Sequence, residues 1–202
     1  MKPIGGGLYC TAALFNHSCD PNIMRFNQGK RMVSVSCRSI RAGEKIYDCY
    51  GLPWYSKPWE ERQRILIKFY RFTCSCLPCK ESWPVSELLA KAQLSGLSRV
   101  KCSICGSIQA RRRLETEIPC SCGALIDLTE IPLEKIAKLN EELQDLLCVK
   151  MDWRKGMQVR LELETLLEKY IATPSLEHFL SNILVWRALW TLTGSKKIVK
   201  IM

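Results

Sequence analysis

The sequence predicts an α+β chain with a β-rich beginning, a middle organised by cysteines, and a helical, repeat-like tail. Three observations carry this. Short β-branched and apolar runs separated by turn formers fill the stretch up to Gly51. Seven of the twelve cysteines fall into two clusters, Cys74 to Cys79 and Cys102 to Cys122. From Thr129 onward, apolar residues recur at three- and four-residue steps.

The elements follow in order. Ile23 to Cys37 reads as a hairpin turning at Asn27, Gln28 and Gly29, with Met32 to Ser36 as its return strand. In "IRAGEKIYDCYG" the pair Ala42-Gly43 reads as a turn and Ile46 to Tyr50 as a short strand stopped by Gly51. "WEERQRILIKFY", from Trp59, reads as a helix with acids in its first turn, where the macrodipole favours them, and with Ile65 and Phe69 on its apolar side. A short helix is expected near Glu87 to Leu94. Leu133, Ile136, Leu139, Leu143, Leu146 and Leu147 mark one tail helix, and Met157, Leu163, Leu166, Leu167 and Ile171 a second. Thr173-Pro174 stops the second, and Ser175 can cap a third through Phe179, Leu180, Ile183, Leu184 and Trp190.

At 202 residues the chain can bury a core as one large or two small domains. No stretch reaches the roughly 18 to 20 apolar residues of a membrane span, and Met1-Lys2-Pro3 opens no signal peptide. That places the chain in the reducing interior of a cell, cytoplasm or nucleus, where clustered thiols hold metal rather than cross-link. Each zinc with four thiolates carries −2, so two such sites lower the formal charge of +10 to +6, a moderate basic balance.

Cys102-Ser-Ile-Cys105 and Cys120-Ser-Cys122 form two close pairs that a hairpin can bring together as a tetrahedral zinc site, with Gly106 and Gly123 letting backbone amides turn toward sulfur. Arg111-Arg112-Arg113 lies between the pairs. It could touch phosphates, but no aromatic residues interleave it, so a solvated hairpin end is expected and nucleic acid is not the expected partner. Cys74-x-Cys76-x2-Cys79 supplies three thiolates and lacks a fourth. Among the unassigned cysteines Cys19 is best placed, because His17-Ser18 and Asp20-Pro21-Asn22 around it favour turns.

"NHSCDPN" at Asn16 to Asn22, "AGEKIYDCYG" and "FYRFTCSCLPC" together resemble, in that order, the C-terminal half of a SET domain and its post-SET zinc site, and the whole is most similar to the SET-and-MYND family of protein-lysine methyltransferases. The resemblance is strong from Ile4 to Cys79 and looser beyond. It implies a SET half over residues 1–58, a helix and post-SET segment over 59–82, a second zinc segment with four cysteines over 83–128, and a truncated tetratricopeptide-like helical region over 129–202. It further implies that the NHSC segment is threaded through a closed loop and that Asn16 and His17 contact S-adenosylmethionine. Tyr50 matches the catalytic tyrosine, Tyr70 a tyrosine of the lysine channel, and Phe72 the aromatic residue against the adenine. Cys19, Cys74, Cys76 and Cys79 match the zinc tetrad. A lysine-containing protein, histone or not, is the implied substrate, and the helical tail offers a surface for protein partners.

The sequence departs from that family at its start. No Gly-x-Gly cofactor loop or MYND finger precedes NHSC; Gly5-Gly6-Gly7 stands too close to Asn16 and reads as a flexible lead-in. With the abrupt end at "SKKIVKIM", the chain is expected to be a fragment that binds the cofactor poorly alone. The alternative expectation is a catalytically inactive, zinc-dependent interaction module.

Overall fold

The computed structural model describes residues 7–94, 98–111 and 115–192. Gly5 and Gly6, Arg112 and Arg113, and the "SKKIVKIM" end therefore lie outside the described residues. The chain divides into two compact units, Met1–Trp83 with Leu189–Met202, and Pro84–Ala188.

In the first unit the predicted hairpin forms from β2 (Ile23–Gln28) and β3 (Arg31–Ser36), paired antiparallel from Ile23 opposite Ser36 to Gln28 opposite Arg31. Its turn is shorter than expected: Asn27 and Gln28 stay in β2, and Gly29 takes the left-handed φ of 59° that a two-residue turn requires. The expected strand Ile46 to Tyr50 shrinks to β4 (Tyr47–Asp48). It has no hairpin partner and pairs parallel with the equally short β1 (Asn16–His17), Asn16 opposite Tyr47 and His17 opposite Asp48.

Helix α1 (Trp59–Tyr70) has Glu60 and Glu61 in its first turn and ends at Arg71, which closes it in the left-handed region at φ 61°. Its inner face differs from the expectation. Phe69 is 66% exposed, whereas Arg62, Gln63 and Leu66 are buried. That face meets carbonyls and thiols as well as apolar side chains, so polar residues with many donors are accommodated there. Trp54 and Trp83, both buried, meet edge to face at 5.2 Å. The chain past Arg71 is irregular until α2 (Leu77–Lys80), which has Pro78 in its first turn.

The second unit starts with α3 (Ser86–Leu94), followed by two antiparallel hairpins, β5 (Ser98–Lys101) with β6 (Ile108–Arg111) and β7 (Glu117–Pro119) with β8 (Leu125–Asp127). Three long helices follow: α4 (Leu133–Gln144), α5 (Trp153–Tyr170) and α6 (Leu176–Leu192), the last belonging to this unit as far as Ala188. The periodicity named their inner faces well: Ile136, Leu139, Leu143, Leu146, Leu147, Leu163, Leu167, Ile171, Phe179 and Leu184 are all buried. A π-helical turn, Asp145–Val149, ends the first of these helices. Gly156 packs against that turn so closely that a Cβ there would run into the Leu147 side chain. Ser175 caps α6 as expected, its Oγ accepting from His178 N at 3.3 Å. Among the described residues no helix is long and apolar enough to cross a membrane.

Candidate functional site

The site of the first unit is assembled where β1 and β4 lie side by side. Asn22, fully buried, stitches the two chain segments: its Nδ2 donates to Lys45 O at 2.9 Å and Glu44 Oε1 at 3.2 Å, and its Oδ1 accepts from Tyr47 N at 2.7 Å. Its own N–H donates to Tyr47 O, while its carbonyl accepts from Cys37 N. Arg38 fixes Glu44 at 2.6 Å and, chiefly through that hydrogen bond, holds its carboxyl down to about 2.

This pairing brings His17 to Tyr50. The Tyr50 N–H donates to His17 Nδ1 at 3.1 Å, so Nδ1 carries a lone pair and the ring proton sits on Nε2, 3.4 Å from Cys19 Sγ. Burial lowers the His17 pKa, with Cys76 opposing. Four rings gather here: His17 to Tyr50 at 5.3 Å between centroids, Tyr50 to Tyr70 at 5.0 Å, and Phe72 edge-on to both His17 at 5.8 Å and Tyr50 at 6.3 Å. The Tyr50 hydroxyl donates to Phe15 O, and the Tyr70 hydroxyl donates to Tyr50 O at 2.7 Å. Tyr70 stays 46% exposed, so the cluster is open to solvent on one side. Burial raises the Tyr50 phenol, which therefore stays protonated at neutral pH. Asn16 adjoins the cluster in β1 and is exposed.

Beside the rings, Cys19, Cys74, Cys76 and Cys79 place their four sulfurs within 4.8 Å of one another. Cys19 Sγ lies 3.6 Å from Cys79 Sγ, close to the ~3.8 Å that tetrahedral Zn–S bonds of ~2.3 Å impose. The Cys19 N–H points at Cys76 Sγ, and hydrogen bonding from the Cys19 and Cys74 thiols lowers the Cys76 thiol. The donor set thus fits a zinc ion. All twelve cysteines are free of disulfides.

Sequence reasoning missed the supports of this cluster. Gln63 clasps the backbone of Cys74 in both directions, Nε2 to O and N to Oε1, each at 2.9 Å. Arg62 reaches the Trp54 and Lys57 carbonyls and Cys79 Sγ. Trp54 donates Nε1 to Asp20 and its backbone N–H to Cys19 O. The signal present in the sequence is the helical spacing, which puts Arg62 and Leu66, four apart, on one face.

In the second unit Cys102, Cys105, Cys120 and Cys122 also converge within 4.8 Å, with Cys102 and Cys122 sulfurs at 3.8 Å and Cys105 and Cys120 at 3.5 Å. This set likewise fits zinc. The two pairs are not joined by one hairpin, however: each lies at the turn of its own, β5–β6 and β7–β8, and Arg111 closes β6. Gly106 and Gly123, at φ 72° and 88°, turn their own amides to the carbonyls of Cys102 and Cys120, and the amides that follow them, of Ser107 and Ala124, turn to the sulfurs of Cys105 and Cys122.

Residues 4–51 match the SET domain. The chain is similar to the human histone-lysine N-methyltransferase SMYD3, 36% identical over 89 residues that make up 44% of this chain and 20% of that protein. It is also similar to a SET and MYND domain-containing protein of Dictyostelium discoideum, 30% identical over 140 residues (68% of this chain, 10% of that protein). N-lysine methyltransferase SMYD2 of Gallus gallus is 26% identical over 148 residues, 70% of this chain and 33% of that protein. The chain thus carries SET-domain sequence related to SMYD lysine methyltransferases, and spans about a fifth of the length of SMYD3.

Proposed function

We propose that the chain is catalytic sequence of an S-adenosylmethionine-dependent protein-lysine N-methyltransferase, acting on a lysine of a histone or non-histone protein. The observation that carries this reading is the cluster of His17, Tyr50, Tyr70 and Phe72, with two phenol hydroxyls anchored on backbone carbonyls within sequence related to SMYD enzymes. Transfer of a methyl group to nitrogen is an in-line displacement that needs a neutral, desolvated and aligned amine. Tyrosine rings exclude water and lower the amine's pKa. Because both hydroxyl protons point at carbonyls, their oxygens present lone pairs that accept N–H bonds from the amine and aim its own lone pair.

S-adenosylmethionine, when bound, supplies the methyl group; Asn16, His17 and the edge-packed, half-buried Phe72 are the residues we assign to hold it. Both His17 ring nitrogens are engaged, by Tyr50 N and Cys19 Sγ, so its contribution comes through backbone and ring face. Zinc in the Cys19 cluster fixes the Phe72 segment, and zinc in the Cys102 cluster braces the second unit. We assign residues 1–58 to the SET portion, 59–82 to the post-SET segment, 83–128 to the second zinc segment and 129–202 to a tetratricopeptide-like region open to protein partners. Gly51 after the tyrosine and the second cysteine cluster support a resemblance to SET and MYND domain-containing protein 4. The free thiols suit the cytoplasm or nucleus.

The test is methyl transfer from labelled S-adenosylmethionine to core histones and to cell-extract proteins by the full-length natural protein. Tyr50→Phe is expected to lower the rate by ~100-fold or more. An unchanged rate in that variant, or no labelled lysine with the parent, would contradict the reading.

A further inference from the structure

The two cysteine clusters solve one electrostatic problem in different ways. A zinc ion with four thiolates is a dianion, and a dianion is costly wherever water cannot reach it. In the Cys102 cluster water reaches it: Cys105 and Cys122 are exposed. Among the described residues, neutral side chains approach its sulfurs, Ser107 Oγ at 2.9 Å and Gln109 Nε2 at 3.8 Å from Cys120 Sγ. In the Cys19 cluster three of the four cysteines are buried, and the compensating charge must come from protein.

Arg62 is that charge. Its guanidinium belongs to a residue only 1% exposed. Among the described residues no carboxylate pairs with it. Its partners are the Trp54 and Lys57 carbonyls, at 3.1 and 2.6 Å, and Cys79 Sγ, at 3.8 Å. A buried guanidinium 3.8 Å from a ligand sulfur offsets the negative charge that four thiolates bring to a metal ion. Loaded cluster and guanidinium therefore need each other.

We propose that Arg62 is the counter-ion of the first zinc cluster, a positioning residue that sets its metal affinity by charge rather than by ligation. The proposal rests on zinc occupying that cluster and is independent of methyl transfer. Such outer partners are typically worth ~10- to 100-fold in metal affinity. Arg62→Met removes the charge and keeps the apolar stem, and Arg62→Lys keeps the charge and loses the fork.

The experiment is competition of the zinc-loaded chain against a chromophoric chelator at constant neutral pH, with Cys19→Ser assigning the two affinities to their clusters. Arg62→Met should weaken the Cys19 cluster by ~10- to 100-fold and leave the Cys102 cluster unchanged, while Arg62→Lys restores most of the loss. Unchanged affinity in Arg62→Met, or equal losses in Met and Lys, overturns the proposal. If Arg62→Met does not fold, Arg62→Lys decides: near-parental affinity supports the charge role and a tenfold or greater loss overturns it. A parent with no zinc at the Cys19 cluster overturns the zinc assignment together with this role, and leaves the methyltransferase reading to its own test.

Discussion

Cys19 Sγ and Cys79 Sγ meet at 3.6 Å across sixty positions of chain. Cys19 follows His17, whose ring receives the Tyr50 amide, and Cys79 closes the segment that carries Phe72 and Cys74. One ion there would fasten both walls of the ring cluster. Stripping zinc from the loaded chain should therefore raise amide hydrogen exchange in residues 16–22 and 70–79 together, with the β2–β3 hairpin changing least. Independent responses of the two segments would contradict a shared clasp.

Gln63 supplies the second fastening of the same segment. Gln63→Leu leaves the buried N–H and C=O of Cys74 without partners, and is expected to cost about 2–4 kcal/mol in denaturant unfolding of the zinc-loaded chain. A loss below about 0.5 kcal/mol, the scale of an ordinary surface change, would show that the clasp is incidental.

Asn22 is the polar knot of the β1–β4 pairing. Asn22→Ala abolishes three side-chain hydrogen bonds at a fully buried position, and a loss of about 3 kcal/mol is expected. Aspartate, which keeps the acceptor for Tyr47 N and loses the donors to Lys45 and Glu44, should be no better. An Asn22→Asp protein as stable as the parent would contradict this account.

These residues show what the sequence made legible and what it did not. The ligands were visible because thiols crowd at metal-ligand spacings, and the helices of the second unit because their leucines repeat every three or four positions. The inner face of α1 was only partly legible: of the two residues on its apolar side Ile65 is half-buried and Phe69 exposed, whereas Arg62 and Gln63 occupy the interior because carbonyls and sulfurs await them there. β4 was read as too long because a parallel pair of two residues leaves almost no alternation to detect. The separate hairpins of the second cluster were hidden for a related reason, since a knuckle and a hairpin turn share the same glycines.

His178 gives a pH test confined to the second unit. Burial, aided by Lys101 and Arg160, lowers its pKa to about 3, and Ser175 Oγ lies 2.8 Å from Nδ1. A base with a folded pKa below its unfolded value of ~6.5 favours folding fully above that pH. As the pH falls the unfolded chain takes up a proton that the folded one refuses. The stability difference between parent and His178→Gln should therefore shift against the parent by about 1.4 kcal/mol between pH ~7.5 and ~5.5. A pH-independent difference would mean that the folded ring takes up the proton as readily as the unfolded one.

The central claim is that a metal ion joins Cys19 to the Cys74–Cys79 loop, and zinc per chain in the purified protein tests it most directly. Two zinc ions are predicted for the parent, one for each four-sulfur cluster, and one for Cys19→Ser. A Cys19→Ser chain that still holds two would contradict the claim.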